Sequence, residues 1–507
     1  MKMIKRWLVW ALSSLIVVVI LFTAAEVLVA QRGLDTGREL MAFELWPQAR
    51  EKLKNYLWLH PRDGEAQFLM AESYAKDESL PAAEAAAAAI QQLTRISDTH
   101  PRAGEARLRQ GQLEFLILHR PIHAERSVRQ ALELGVDELP AQQMLWTLYN
   151  ATGRGELAEE IFWRLYELSP EGDRPERLRE WYLSLFFPAT ACAELDRQMG
   201  ILGPDEEPTR TTESRRYLRF RESEPQSLIN HAALARWCQL EGDLDFAVRL
   251  IDAAIQNKNL ATDAAALPTN PTTQPTSQNR SDLEPAETAS PKTVPATASD
   301  HLSDSLLVAE SDDAIRGSSN PFYLSTAIGI FLDLGQFDRA KGLFDQWPHA
   351  DRGHFYWRSR ALILDEVLRD HEQALTAYEQ ALTRWPGPAD WRLQFRKAGC
   401  LTRLRRTDEA DRVREQARQV QSLMVPEAHE RLWKALHQVP TPEQLEPLVL
   451  FYQTLGRTRE TDAWKQIVAS LPRQPASQSQ PVNPSQHPSQ QPSQQRLVTI
   501  QPPFLDR

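Results

Sequence analysis

The chain is poor in cysteine and in glycine, and it lacks the excess of basic residues that a nucleic-acid partner demands. Its three cysteines, Cys192, Cys238 and Cys400, are far apart and form no C-x-x-C pair. An odd count at such spacing argues against a disulfide framework or a structural zinc module and predicts three small apolar core residues. Only 20 of 507 residues are glycine, while Ala, Leu, Glu, Gln and Arg are plentiful. Those residues lose little rotamer freedom in a helix, so the composition favours an all-helical chain. The formal net charge of −10 argues against a protein that displaces counterions from a phosphate backbone.

The one long apolar run is Trp7 to Ala25, 19 positions without a charge. At about 1.5 Å per residue it matches a hydrocarbon core of about 30 Å. Lys2, Lys5 and Arg6 precede it, and the first charges after it are Glu26, Arg32 and Asp35. That asymmetry keeps residues 1–6 in the cytoplasm and sends the chain beyond residue 30 to the far side. Thr23-Ala24-Ala25 would serve as a signal-peptidase site, so secretion after cleavage is the alternative. The run exceeds the usual apolar core of about 7–15 residues in a signal peptide, and helical sequence resumes at once. A transmembrane signal anchor over 7–30 is the expectation.

Beyond the anchor, small residues recur with apolar partners four and seven positions on, a spacing that puts all three on one helical face. Ala49 leads Leu53 and Tyr56, Ala83 leads Ala87 and Ile90, and Ala124 leads Val128 and Ala131. Ala158, Ala247, Ala340 and Ala374 head the same pattern. The steps 49 to 83, 124 to 158 and 340 to 374 are each 34 residues, which a lone amphipathic helix would not produce. Five residues before a lead position stand Gly153, Gly242, Gly335 and Gly456, where a tight turn between two helices is expected. Nine before it stand Leu40, Tyr74, Phe115, Tyr149, Cys238, Phe331 and Leu401; twelve after it stand Pro61, Pro170 and Pro386, where the second helix must end.

This pattern resembles the tetratricopeptide-repeat (TPR) family, most clearly in residues 145–170 with Trp146, Tyr149, Gly153, Ala158, Phe162 and Pro170. The resemblance covers most of 34–258 and 320–472 in nine units. It implies an α-solenoid of stacked helix-turn-helix pairs with a concave ligand face. The step from Ala83 to Ala124 is 41, Thr461 stands where the last unit should have a small alanine, and 171–227 fits poorly. The expected organisation is a TPR array over 31–170, an irregular helical segment over 171–227, a unit over 228–258 and a second array over 321–472. Residues 259–320, rich in Pro, Thr and Ser, predict a disordered linker, and 473–507, rich in Gln, Ser and Pro, a disordered tail. The tail ends in RLVTIQPPFLDR, an apolar end that is either a docking peptide or chance.

Known catalytic signatures are missing: no Walker loop, G-x-S-x-G, H-E-x-x-H, C-x-x-C-H or Rossmann glycine pattern occurs. No catalytic, cofactor-binding or metal residue is nominated, and no cofactor is expected. His119 and His123 have the spacing of metal ligands on a helix, but Pro121 between them predicts a surface turn. His349 and His354 flank an inter-repeat turn, and acidic pairs such as Glu159–Glu160 are expected on solvated faces. In the family the first helices line the groove, which maps here to Phe68, Glu72, Gln112, Gln143, Thr147, Asn150 and Arg236. The Asn and Lys clamp of chaperone-binding TPR domains is not visible at these positions. The resemblance implies a non-enzymatic scaffold or assembly factor, partnered by proteins or peptides, in a bacterial inner membrane with its repeats in the periplasm. An accessory subunit binding an envelope polysaccharide or its synthase, or secretion machinery, is the second expectation.

Overall fold

The computed structural model describes residues 32–266, 320–347, 353–437 and 441–471. The expected anchor, the C-terminal tail and most of the expected linker lie outside them. Among the described residues every regular element is helical, and no helix is long and apolar enough to cross a membrane.

Paired helices make up most of the described residues. They are α1 (Gly33–Ala42) with α2 (Trp46–Leu59), α3 (Gly64–Ala75) with α4 (Ala82–Leu93), α5 (Ala103–Leu116) with α6 (Pro121–Glu133), and α7 (Glu138–Ala151) with α8 (Gly155–Leu168). An irregular stretch follows: α9 (Arg174–Phe186), the short α10 (Pro188–Ala191) and α11 (Ala193–Gln198), and α12 (Arg210–Ser223). Pairing resumes with α13 (Leu228–Glu241) and α14 (Leu244–Ala266), then α15 (Pro321–Asp333) and α16 (Phe337–Phe344). Next come α17 (His354–Leu362) with α18 (His371–Leu382), and α19 (Trp391–Arg403) with α20 (Thr407–Leu423). The array ends with α21 (Pro426–His437), α22 (Pro442–Thr454) and α23 (Thr458–Ser470). Paired helices pack on each other, and neighbouring pairs pack on one another.

Local chemistry sets these ends. First helices start on side-chain caps: Asp63, Asp137, Ser227, Asn320 and Asp390 each accept a backbone N–H from the opening turn. Thr209 and Thr441 make capping boxes. In eight of the nine helix pairs the chain reverses through a left-handed residue five before the lead position; the loop 76–81 between α3 and α4 has none. Gly153, Gly242, Gly335 and Gly456 do this with φ of 70–84°. Glu44, His119, Arg369 and Arg405 do it in four other units with φ of 56–61°. The glycine signal therefore marks four of these eight left-handed turns; the other four hold a strained side chain because the flanking helices fix the reversal. In the typical unit the next residue's N–H closes the turn on the carbonyl five back, as in Arg154 to Tyr149 (2.8 Å) and Gln336 to Phe331 (2.7 Å).

The lead residues Ala49, Ala124, Ala158, Ala247, Ala340 and Ala374 are buried, as are Val128, Phe162, Ile251 and Tyr378 four on. Ala83 is not. It and Ala87 are exposed, and Ala86, Ala89 and Leu93 make the buried face of α4. The loop 76–81 is three residues longer than its counterpart at 152–154, which moves the lead position to Ala86. The 34-residue step from Ala49 to Ala83 was thus an accident of the run AAEAAAAAI, and the 41-residue step that followed it becomes 38. Thr461 takes the lead position in the last unit and is buried, its hydroxyl donating to Arg457 O (2.6 Å). All three cysteines are buried, with thiols pushed up by burial to about 12 at Cys192 and about 11 at Cys238 and Cys400.

The array curls until its end meets its middle. Trp181 on α9 stacks on Phe162 of α8 (4.8 Å, 9°), lies 6.5 Å from Trp385, and donates its indole N–H to Glu460 Oε1 (3.3 Å). Tyr182 Oη lies 2.8 Å from His429 Nδ1, and Phe186 stacks on the same imidazole and meets Phe451 edge-on. Arg457 pairs with both Glu159 and Glu460 and covers the Trp385 ring. Phe162, Trp181, Tyr182, Phe186, Trp385 and Phe451 belong to one continuous core. The expectation of a solvated Glu159 is corrected here: α23 covers it, and burial raises its pKa against the pull of Arg457.

Candidate binding site on the first-helix face

Four successive first helices, α13, α15, α17 and α19, build a recess of about 100 Å³. Gln239 comes from α13, Gly329, Leu332 and Asp333 from α15, Arg358 and Leu362 from α17, and Arg392, Leu393 and Arg396 from α19, with the cap Asp390 at its edge. Gln239 donates to Asp333 Oδ2 (2.7 Å) and Arg396 pairs with Glu366. Gly329 supplies the room: a Cβ there would meet only Gln239 Nε2 at 3.5 Å and Arg358 Nη1 at 3.9 Å.

Charge is crowded beside this recess. Arg236 is buried, and its pKa is lowered by burial against the pull of Asp390, Tyr217 and Glu156. Burial lowers Arg358 to about 10, with Asp390 opposing and Arg236 adding to the shift. The buried Asp390 carboxyl is pushed up by burial although Arg358, Arg392 and Arg236 pull it down. Burial, helped by Arg358 and Arg236, drives His354 down to about 3, so its neutral ring donates Nδ1–H to Ala381 O (3.1 Å). From α8 across the curl, Glu156 accepts the Phe355 backbone N–H (3.2 Å). The closed side of the array therefore holds cations in a low-dielectric setting, where a carboxylate or a backbone carbonyl is a fitting ligand.

The seven expected groove residues fall in three places. Phe68 is buried beneath the Arg102 guanidinium, 3.6 Å from its ring centroid. Glu72 accepts from Arg109 Nε (2.7 Å), which also donates through Nη1 to Gln112 Oε1 (3.1 Å), so α3 and α5 share one polar bridge. Gln143, Thr147 and Asn150 lie together on α7. The Thr147 hydroxyl donates to Gln143 O, while Gln143 Oε1 and Asn150 Nδ2 are buried without a hydrogen-bond partner. Arg236 lies with the recess group. Gln239 and Leu332 occupy the same position, eight before the lead residue, as Asn150, and Gly329 the same position, eleven before, as Arg236. Extending those offsets would have found them.

Arg358 and Leu362 were hidden by one extra residue. A single π turn, Ile363–Val367, sits in the first helix of that unit and shifts its face by one position. Asp365 in this turn accepts from Tyr378 Oη (3.1 Å) and Arg403 Nη1 (2.5 Å) and lies 2.9 Å from His371 Nδ1. With Cys400 these residues bring together three possible metal ligands, but the Arg403 guanidinium already sits on the carboxylate and Cys400 donates to His371 O (3.1 Å). The arrangement is a satisfied hydrogen-bond network that fixes the π turn. His119 is the left-handed turn residue before α6, and His123 lies 2.6 Å from Glu224 Oε1; they do not converge.

Residues 34–95 and 366–411 match the family model described as Tetratricopeptide repeat. The first segment carries α1 to α4 and the second α18, α19 and the start of α20, so these segments are tetratricopeptide repeats within a solenoid that is all-α over the described residues. No curated protein matches the chain in sequence. Among solved structures it is similar to the APC/C hetero-tetramer Cut9–Hcn1, at 12% identity over 87% of this chain and 72% of that one, with a TM-score of 0.29. It is also similar to the P58(IPK) TPR domain, at 15% identity over 87% and 98%, with a TM-score of 0.22. Both scores lie below 0.5.

Proposed function

We propose that the chain is a non-enzymatic scaffold or assembly factor that binds segments of partner proteins along its first-helix face, centred on the recess between α13 and α19. The observation that carries this reading is a polar recess built from four consecutive repeats, Gln239, Asp333, Arg358 and Arg396 among its walls. A chain segment lying across the repeats would meet one of these side chains per unit. The recess lining contains no aromatic residue, so the stacking platform that an envelope polysaccharide would use is not offered there. The anchor at 7–30, with the repeats on the outer face of a bacterial inner membrane, belongs to the same reading. It rests on the charge asymmetry around Trp7–Ala25.

A photo-crosslinking residue at Gln239 or Asp333 in the full chain in cells is expected to capture a discrete set of proteins. The Gly329→Trp variant, which fills the recess, should lose that set. Unchanged capture in Gly329→Trp, or capture no different from that at Glu415 on α20, would overturn the recess as the binding site. A topology reporter fused after residue 35 is expected to be active only outside the cytoplasm; a cytoplasmic signal would reverse the orientation.

A further inference from the structure

The first repeat unit carries a feature that partner binding at the recess does not use. Trp58 is 78% exposed and Phe43 is 75% exposed, more than any other large hydrophobic residue described. Tryptophan is usually well buried, and two such aromatic side chains left in water on one helix pair are unusual.

Their placement is ordered. On α2, Pro47, Glu51, Lys54 and Trp58 recur at spacings of three and four, so they share one stripe, and all four are exposed. Ala49 and Leu53 form the opposite, buried stripe, against α1 and α3. Phe43 and the half-exposed Leu45 occupy the turn just before α2, and Trp58 stands at its far end. The two exposed aromatic residues thus stand at opposite ends of α2, whose 14 residues span about 21 Å. Lys54 lies one turn before Trp58, and its aliphatic stem can lie along an apolar boundary while its ammonium stays in water.

The distance along the chain names the occupant. From Ala25, the last residue of the uncharged run, to Gly33, the first of α1, there are seven intervening residues. Even fully extended they reach under about 30 Å. A bilayer holding the run thus keeps the start of α1 within that reach of its surface, close enough for α2 to lie in the headgroup region, where aromatic rings and lysine are the favoured side chains.

We infer that the first repeat lies on the bilayer surface, with Phe43 and Trp58 seated at the boundary between headgroups and acyl chains. This rests on the anchor reading above, and it fixes how the solenoid leaves the membrane: the α2 stripe faces lipid and the later repeats extend away.

The test uses the full chain reconstituted in vesicles of phosphatidylcholine and phosphatidylglycerol. The native cysteines are buried, so a Trp58→Cys variant can be labelled selectively with an environment-sensitive fluorophore, and a Glu415→Cys variant likewise as the reference. The label at 58 is expected to emit to the blue of that at 415 and to lose fluorescence to spin-labelled lipid, while the label at 415 does not. Water-like emission at 58 in a chain that resists carbonate extraction would overturn the inference and leave the anchor standing. A chain that carbonate removes would overturn the anchor itself. A blue-shifted label that lipid does not quench, with energy transfer between differently labelled copies, would assign the face to a second copy and overturn the lipid assignment.

Discussion

Glu125→Ala is expected to destabilise the array by about 3–5 kcal/mol, because it leaves a buried arginine without its counter-ion. Glu125 on α6 is fully buried, and Arg154, in the turn between α7 and α8, is almost so. Arg154 Nη1 donates to Glu125 Oε2 at 2.6 Å, Tyr149 Oη donates to Oε1 at 3.0 Å, and Arg129 reaches the same oxygen. One carboxylate thereby ties the third repeat to the fourth at the turn where α7 reverses into α8. Burial pushes this carboxyl up, but Arg154 and Arg129 outweigh it and hold its pKa below the ordinary 4.5. Its contribution is therefore present at neutral pH and lost as pH falls through that lowered value. Urea unfolding followed by helix content measures the loss as a shift in midpoint. The paired variant Glu125→Leu with Arg154→Met should recover most of it, since a well-packed apolar pair often matches a buried ion pair. A Glu125→Ala chain as stable as the parent would show that Arg154 finds water or another partner.

What was legible in the sequence was whatever each repeat decides for itself. Lead alanines, apolar knobs such as Phe115 and Tyr149, caps and turn glycines act within about 20 residues, and their pattern gave the helix pairs and the repeat class. Errors entered where one or three residues were inserted. The longer loop at 76–81 displaced the lead position from Ala83 to Ala86, and the π turn at Ile363–Val367 displaced the groove face to Arg358 and Leu362. Both insertions leave the four-and-seven pattern intact on either side, so periodicity alone does not register them. The ion pairs were illegible for another reason. Glu159 reads as a surface carboxylate because its cover comes from Arg457, 298 positions on, and the partner of Glu125, Arg154, likewise belongs to the next repeat. The first-helix positions of Gln143, Thr147 and Asn150 were reachable, since they follow from the register, and the same offsets reach Gln239 and Gly329.

The closure of the curl gives the second large effect. Trp181→Ala is expected to cost about 3–5 kcal/mol, the range for removing a large buried aromatic side chain. Trp181 is fully buried between Phe162, Trp385 and the Glu460 carboxylate, so its loss opens a gap shared by α8, α9 and α23. A residue that merely stabilised its own helix would loosen 174–186 alone. Here amide exchange should quicken both in 155–186 and in 442–470, segments far apart in sequence. Protection lost only around α9 would show that the last unit holds its place without the middle. Acid should act on the same contact with a sign set by His429, whose ring burial drives down to about 4. The unfolded chain takes up a proton below the ordinary 6.5 while the folded one resists it. The contribution is therefore complete above 6.5 and declines as pH falls toward 4. His429→Phe, which keeps a ring beside Phe186 and Phe451 but cannot be protonated, should flatten this decline in the exchange of 442–470. An undiminished pH dependence in that variant would move the effect to His354, which lies beside the recess rather than in the closure.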